Sequence, residues 1–272
     1  MKLGSELLRR VASTGVLKQH VGREISRPWV GAVIARATRD RIRKGDVKFD
    51  VSSSLISPRT KAQIFWGLYE SAEQRFIRRW LRPDLDVIEL GSSIGVVSSV
   101  ISQVIEPGRR MICVEANPNV IPILKRNLDL NAHGRRLDIV NAAIDYESGS
   151  KQATLYFGES TVSSTITGTA NQSGPSTTVP TTTLGGIADD LGIGEYALVA
   201  DIEGSEVGMI ARDAAALQRC QQLVIELHSV KTDDRIVEPD YMVAQLIGEH
   251  GFRLRARHGP VCVFDRDPGG SP

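Results

Sequence analysis

From Asp86 onward, short apolar runs alternate with stretches of helical spacing. Asp86–Leu90 (DVIEL) reads as a strand, and Gly95–Ile105 as a helix closed by Pro107-Gly108. Met111–Ala116 is the second expected strand. A helix to about Leu130 follows, with Asn117 as its cap and Pro118 in its first turn. Leu137–Ile144 is the third strand. The alternation then pauses. Ala153–Phe157 reads as a short extra strand, and the Ser/Thr/Gly-rich segment 158–180 as a long loop of the kind that often carries function. Thr181–Leu184 reads as one more short strand and Ile187–Leu191 as a helical stub. Tyr196–Ile202, Gln222–Leu227, Phe252–Arg257 and Val261–Phe264 are the remaining strands, with helices expected at Ser205–Leu217 and Tyr241–Glu249. Strands alternating with helices imply an α/β fold with a doubly wound, mostly parallel sheet. No helix separates the last two strands, so they should form a C-terminal antiparallel hairpin at the sheet edge.

Upstream the pattern is different. Arg27–Lys44 predicts a helix after Pro28, with Trp29, Val30, Val33, Ile34 and Ile42 loosely on one side and Arg36, Arg39, Arg41, Arg43 and Lys44 around the rest. Residues 45–60 read as a linker, and Lys61 to about Leu81 as one helix stopped by Arg82-Pro83-Asp84. The expected organisation is a basic helical extension (1–50), a linker and lead-in helix (51–85), and a main domain (86–268).

Charge sharpens that division. Residues 1–50 carry twelve Lys/Arg and five Asp/Glu, a balance of +7; the total is +1, so the remainder is −6. The near-neutral total makes no case for nucleic acid as a partner. A basic amphipathic segment can lie on an anionic membrane surface or pack against an acidic domain. Residues 1–50 are therefore expected to serve localisation or substrate capture, with peripheral membrane contact one reading and packing with solvated charges the other. No apolar run reaches the roughly 18–20 residues that span a bilayer, and the first residues lack a signal-type apolar core. Cys113, Cys220 and Cys262 match no zinc spacing and fit a reducing compartment. The expected location is the cytoplasm, with association at the inner membrane surface left open.

The candidate chemistry sits at strand ends, where open α/β sheets bind ligands. The first turn, Glu89-Leu90-Gly91-Ser92-Ser93-Ile94-Gly95, is an acid followed by Gly-x-x-x-Gly, not the Gly-x-Gly-x-x-Gly of nicotinamide enzymes. S-adenosylmethionine has no pyrophosphate to cradle, and its cationic amino group and sulfonium favour a nearby acid. Glu115, ending the second strand, can accept hydrogen bonds from both ribose hydroxyls of an adenine cofactor. Asp201 follows a strand and precedes Glu203, Ser205 and Glu206, of which Ser205 and Glu206 suit a helix N-terminus. A carboxylate at Asp201 could orient an acceptor hydroxyl or hold a metal. His228 lies one strand over and is suited to take a proton near neutral pH.

The run from Asp86 to His228 resembles the FkbM family of methyltransferases. The resemblance is carried by ELGSSIG, by EANPN at Glu115, by Lys125-Arg126-Asn127-Leu128-Asp129-Leu130-Asn131, by Asn141–Ala143, by Thr183-Leu184, by the Asp-x-Glu-Gly-x-Glu run from Asp201 and by Glu226-Leu227-His228; Tyr69-Glu70 also fits. The methyltransferase form of the doubly wound sheet carries a terminal hairpin. The chain departs from the family pattern at Glu89 (commonly Asp), at Ser92-Ser93 (commonly Ala-Asn), at Ala200 (commonly Lys) and at Gly185 (commonly Asp). The resemblance implies S-adenosylmethionine as cofactor and a hydroxyl of a sugar, glycan, glycolipid or secondary metabolite as acceptor. It implies Glu89, Gly91 and Gly95 at the cofactor's amino-acid end, Glu115 at the ribose, and Asn141 and Ala142 at the adenine, with Ser93 and Asn117 also in the cofactor site. Asp201 is then expected to align the acceptor and His228 to be the base, with Glu203 behind them. No residue is set aside for a metal, and the need for one stays open, as does the oligomeric state. Two alternatives remain: a nicotinamide-dependent oxidoreductase, and a cofactor-binding protein of this fold without turnover.

Overall fold

The computed structural model describes residues 24–157, 164–166, 175–231 and 236–266. Residues 1–23 of the basic extension and most of the expected loop at 158–174 lie outside the described residues. The chain divides into two compact units, Met1–Ser71 and Ala72–Pro272.

The first unit holds α1 (Pro28–Thr38), β1 (Arg41–Lys44), β2 (Val47–Asp50) and α2 (Pro58–Trp66). The expected helix to Lys44 stops six residues early. Arg39 and Asp40 both take positive φ (51° and 57°), and the Arg39 amide closes the helix onto Ala35 and Arg36. Arg41–Lys44 then pairs antiparallel with Val47–Asp50. Ile42, Val47 and Phe49 are buried, so the expected linker contains a strand. Alternation of basic and apolar residues outweighs helix propensity once a partner strand buries Ile42 and Phe49. Trp29 and Val33 face out of α1, 64% and 60% exposed, while Ile34 is buried. Gly31 has no room for a side chain: a Cβ there would lie 1.6 Å from the Pro58 carbonyl oxygen. The expected single helix from Lys61 is two helices. Gly67, at φ 70°, caps α2, and α3 (Ser71–Trp80) starts again after it.

The second unit is built on a seven-stranded sheet. Its strands are β3 (Asp86–Leu90), β4 (Arg110–Glu115), β5 (Arg136–Asn141), β10 (Tyr196–Ala200), β11 (Cys220–Glu226), β14 (Phe252–His258) and β15 (Val261–Arg266), in the spatial order β14-β15-β11-β10-β3-β4-β5. Pairing is parallel throughout except at β15, which runs antiparallel to both β11 and β14. The fold is thus the expected doubly wound α/β sheet. The C-terminal hairpin lies at the sheet edge as expected, with β15 inserted between β11 and β14 so that β14 is the outermost strand. Val263 and Phe264 are fully buried, while in β14 only Phe252 is buried and the other residues are partly or fully exposed, so the more apolar strand takes the covered place.

α4 (Val96–Val104) packs on one face, where the Ser98 hydroxyl reaches Glu89 on β3. The opposite face, with Ile88, Ile112, Leu198 and Leu223, packs with α6 (Leu184–Asp190), α7 (Glu206–Arg212), α8 (Ala214–Arg219) and α9 (Pro239–Gly248). The helix expected after Asn117 begins only at Ile121 (α5, Ile121–Asn131), with Pro122 in its first turn; the Asn117 side chain instead accepts from the Asn119 amide at 3.0 Å in a turn before it. The third strand ends at Asn141, and β6 (Ala143–Ile144) leaves it for a four-stranded sheet with β7 (Gln152–Phe157), β8 (Ser164–Ile166) and β9 (Ser176–Thr182), ordered β6-β9-β7-β8. Part of the segment expected to be loop is therefore strand, held by the buried Ala143, Leu155 and Val179. The expected Ser205–Leu217 helix breaks at Asp213, whose φ and ψ of −115° and 46° are not helical. Two further short strands, β12 (Val230–Lys231) and β13 (Ile236–Val237), pair after β11. No helix among the described residues is long and apolar enough to cross a membrane.

Candidate functional site

Two groups of residues meet at the carboxyl ends of β3, β4, β10 and β11. The first is the turn from β3 into α4. The amides of Gly91 and Ser92 both donate to the Val114 carbonyl on β4, at 2.9 and 3.0 Å. Gly91 (φ 86°), Ser93 (φ 46°) and Gly95 (φ 83°) all take left-handed backbone. A Cβ on Gly91 would lie 1.9 Å from the Asp201 carbonyl oxygen, so this turn and the end of β10 are in direct contact. Glu115 is buried, and its two carboxylate oxygens accept the Ser93 and Asn117 amides, each at 2.7 Å. Burial raises its pKa, and those amides pull the other way. Ionised, it keeps about two of its four acceptor positions for another donor. Asn141 donates to the Glu115 and Ala116 carbonyls, at 2.7 and 3.0 Å, tying β5 to the end of β4; Ala142 is buried beside it. The buried Asn127 donates to the Ile94 carbonyl at 2.8 Å, which gives the Lys-Arg-Asn-Leu motif a structural task.

Glu89 lies beneath the turn, accepting from the hydroxyls of Ser92 (2.8 Å) and Ser98. Burial pushes its carboxyl up to about 7 from an ordinary 4.5. The folded protein then holds this proton more tightly than the unfolded chain. The group's stabilisation is complete below pH 4.5 and is lost as pH rises through about 7. At most it is worth about 3 kcal/mol. In urea melts at pH 5.5 and 8.5, the wild type is expected to lose stability at the higher pH by more than Glu89→Gln does. Equal losses would show that Glu89 does not set the dependence.

The second group is Asp201, Glu203, Glu206 and His228. Past β10, Glu203 takes φ 50°. The fully buried Glu206 stitches that turn, accepting the Ile202 and Gly204 amides at 3.0 and 2.8 Å. Glu206 also holds His228, with Nδ1 at 3.0 Å from Oε1. The other ring nitrogen, Nε2, faces Asp201 at 3.8 Å and Glu203 at 3.7 Å. Burial alone would lower the His228 pKa. The Glu206 hydrogen bond and the charges of Glu206, Asp201 and Glu203 outweigh it and hold the imidazole at about 9. A pKa this high counts against the base role expected of His228, since a protonated imidazole is a poor proton acceptor. Burial, with Glu203, Glu206 and Glu73 nearby, lifts Asp201 to about 7 although His228 opposes the shift. Glu73 on α3 is likewise pushed up to about 7 by burial and its hydrogen bond to Glu226.

All eleven residues singled out in the sequence lie along this edge of the sheet. Three others matter in ways the sequence pattern does not assign. Glu206 reads there as a helix-end charge, Glu226 only as part of a strand end, and Glu73 not at all. The Asp-x-Glu-Gly-x-Glu run and Glu-x-His carry a signal for the first two. Two departures from the family pattern have packing causes. Ala200 is buried in β10. Gly185 donates its amide to Asp213 at 2.9 Å, and a Cβ there would lie 2.9 Å from the same carboxylate.

Solved structures similar to the chain include a precorrin-6y C5,15-methyltransferase from Geobacter metallireducens (16% identity, 72% of this chain and 86% of that one, TM-score 0.39). Another is a magnesium protoporphyrin IX methyltransferase from Synechocystis with bound S-adenosylmethionine (12% identity, 76% and 83%, TM-score 0.41). No curated protein matched the chain. The model of the methyltransferase FkbM domain matches residues 89–254, more than half of the chain. That span begins at Glu89 and takes in every residue from the β3–α4 turn to His228, and the chain belongs to the methyltransferase FkbM domain family.

Proposed function

We propose that the protein uses S-adenosylmethionine to methylate a hydroxyl oxygen of a sugar, glycan, glycolipid or secondary metabolite. The observation that carries the reading is the contact of the Gly91 turn with the Asp201 backbone, because it sets a cofactor turn and a proton-handling cluster against each other. The turn fits the cofactor: Glu89 Oε1 and Ser93 Oγ are buried there without a hydrogen-bond partner. Glu115 suits the ribose hydroxyls with its remaining acceptor positions, and Glu89 the cationic end. Asn141 and Ala142 border the adenine side. When bound, the cofactor supplies an electrophilic methyl group. A neutral hydroxyl is a weak nucleophile, so its proton must leave as the new bond forms. Asp201, with a pKa near neutrality, suits that proton, and the cationic His228 suits the orientation of Asp201 and Glu203. Family membership removes the nicotinamide alternative from consideration.

The test begins with cofactor binding. Glu115→Gln sets an amide NH2 group against one of the two backbone amides and removes the charge. S-adenosylmethionine affinity is expected to fall about 10- to 100-fold, as for one or two charge-assisted hydrogen bonds. Calorimetry reads this directly, and unchanged affinity would take Glu115 out of the site. Methyl-labelled cofactor with a panel of glycans and hydroxylated metabolites then tests the acceptor. Label found on nitrogen or carbon, or no turnover on any hydroxyl, sinks the proposal.

A further inference from the structure

We propose that Asp201, Glu203 and His228 bind a first-row divalent cation, Mn2+ or Zn2+ in its chemistry. The three residues offer one ligand atom each, all within 4.8 Å of one another. Oδ1 of Asp201 is buried and has no hydrogen-bond partner, yet it points to within 3.8 Å of His228 Nε2. A buried carboxylate oxygen left unpaired is costly and calls for a positive partner. His228 becomes a ligand when the cation displaces the proton on Nε2, which leaves to water. Its Nδ1 is engaged by Glu206, the carboxylate–imidazole arrangement that fixes the ring and leaves Nε2 for a metal. The charged groups acting most strongly on Asp201, apart from His228, are all acidic: Glu203, Glu206 and Glu73. A dication would offset this excess.

Geometry is compatible. Bonds of about 2.1 Å at tetrahedral angles set ligand atoms about 3.4 Å apart. The observed 3.7 and 3.8 Å close to that with shifts of a few tenths of an ångström. Glu203 is half-exposed on a short turn, so it can make that movement. Two carboxylates with one imidazole favour a cation that accepts both oxygen and nitrogen over Mg2+ or Ca2+. Three protein ligands leave open positions for an acceptor hydroxyl, whose ionised form the cation would favour. With the cation bound, Asp201 is a ligand and the proton passes to water; only in the cation-free site does Asp201 take it. That consequence rests on the methyl-transfer reading; cation binding does not.

The test is titration of the full-length protein with Mn2+, without methyl donor or acceptor, following the free aqua ion by electron paramagnetic resonance. The wild type is expected to bind one equivalent, displaced by Zn2+. Asp201→Asn and Glu203→Gln should each weaken binding at least about tenfold, and Glu206→Gln about 10- to 100-fold by freeing the imidazole. Glu206→Gln could unfold its turn, so the half-exposed Glu203→Gln, checked for an unchanged melting temperature, is the deciding variant. Absence of binding at millimolar Mn2+, or an affinity unaltered in Asp201→Asn and Glu203→Gln, overturns the proposal. Mn2+ bound through these residues by a protein that methylates nothing supports the cation site and counts against the methyl-transfer reading alone.

Discussion

Asp201→Asn is expected to lower methyl transfer about 10²–10⁴-fold while S-adenosylmethionine affinity stays the same. The substitution keeps the side chain's shape and removes its charge. The backbone carbonyl that Gly91 packs against is untouched, so the cofactor turn should hold. What is lost is a carboxylate that burial poises near pH 7, close to the value at which a group can both carry its charge and accept a proton. In the wild type, activity should rise with pH along an acidic limb at or below about 7. A base with the pKa of His228 would place that limb near 9. Single-turnover rates across pH distinguish the two. A limb near 9 that survives in Asp201→Asn would return the role of base to His228.

Gly91→Ala is expected to cost about 2–6 kcal/mol of stability and to abolish measurable cofactor binding. Two independent penalties add. At φ 86° an alanine is strained, which costs about 1–3 kcal/mol. Its Cβ would also stand 1.9 Å from the Asp201 carbonyl oxygen, and backbone, not a flexible side chain, would have to move. Overpacking of that kind costs about another 1–3 kcal/mol. The melting temperature should fall by roughly 4–24 °C for a unit of this size. Gly108 provides the control, since it has a similar φ of 91° but no neighbour within 4 Å of where an alanine Cβ would stand. Gly108→Ala should show the strain alone. If the two variants melt alike, the contact between the turn and β10 is not what requires glycine.

Much of the site was legible because strand ends in a parallel sheet are readable. Apolar runs mark where β3, β4, β10 and β11 stop, and the next polar residue is delivered to the ligand edge. Glu89, Glu115, Asp201 and His228 could be named that way. Their protonation could not. Glu115 and Glu89 are the same residue type near the ends of neighbouring parallel strands. One is held by two backbone amides, the other by two serine hydroxyls in full burial. His228 shows the point most sharply. Its ordinary pKa suggests a base, and the approach of Glu206, helped by the charges of Asp201 and Glu203, makes it a cation.

The N-terminal unit marks the other boundary. Basic residues from Arg36 to Lys44 suit a helix by propensity, and the alternation of Arg41, Ile42 and Arg43 before Gly45-Asp46 was the competing signal for a hairpin. A local pattern cannot weigh the two, because a strand's stability comes from the partner that covers it. Hydrophobic periodicity alone determined the doubly wound α/β class, the order of most elements and the residues at the sheet's carboxyl edge. Tertiary structure decided what depends on residues distant in sequence: the insertion of β15 between β11 and β14, the second small sheet, and the charge states of the carboxylates and imidazole that face one another. Those are set by burial and by long-range contacts, and neither is a property of a short window of sequence.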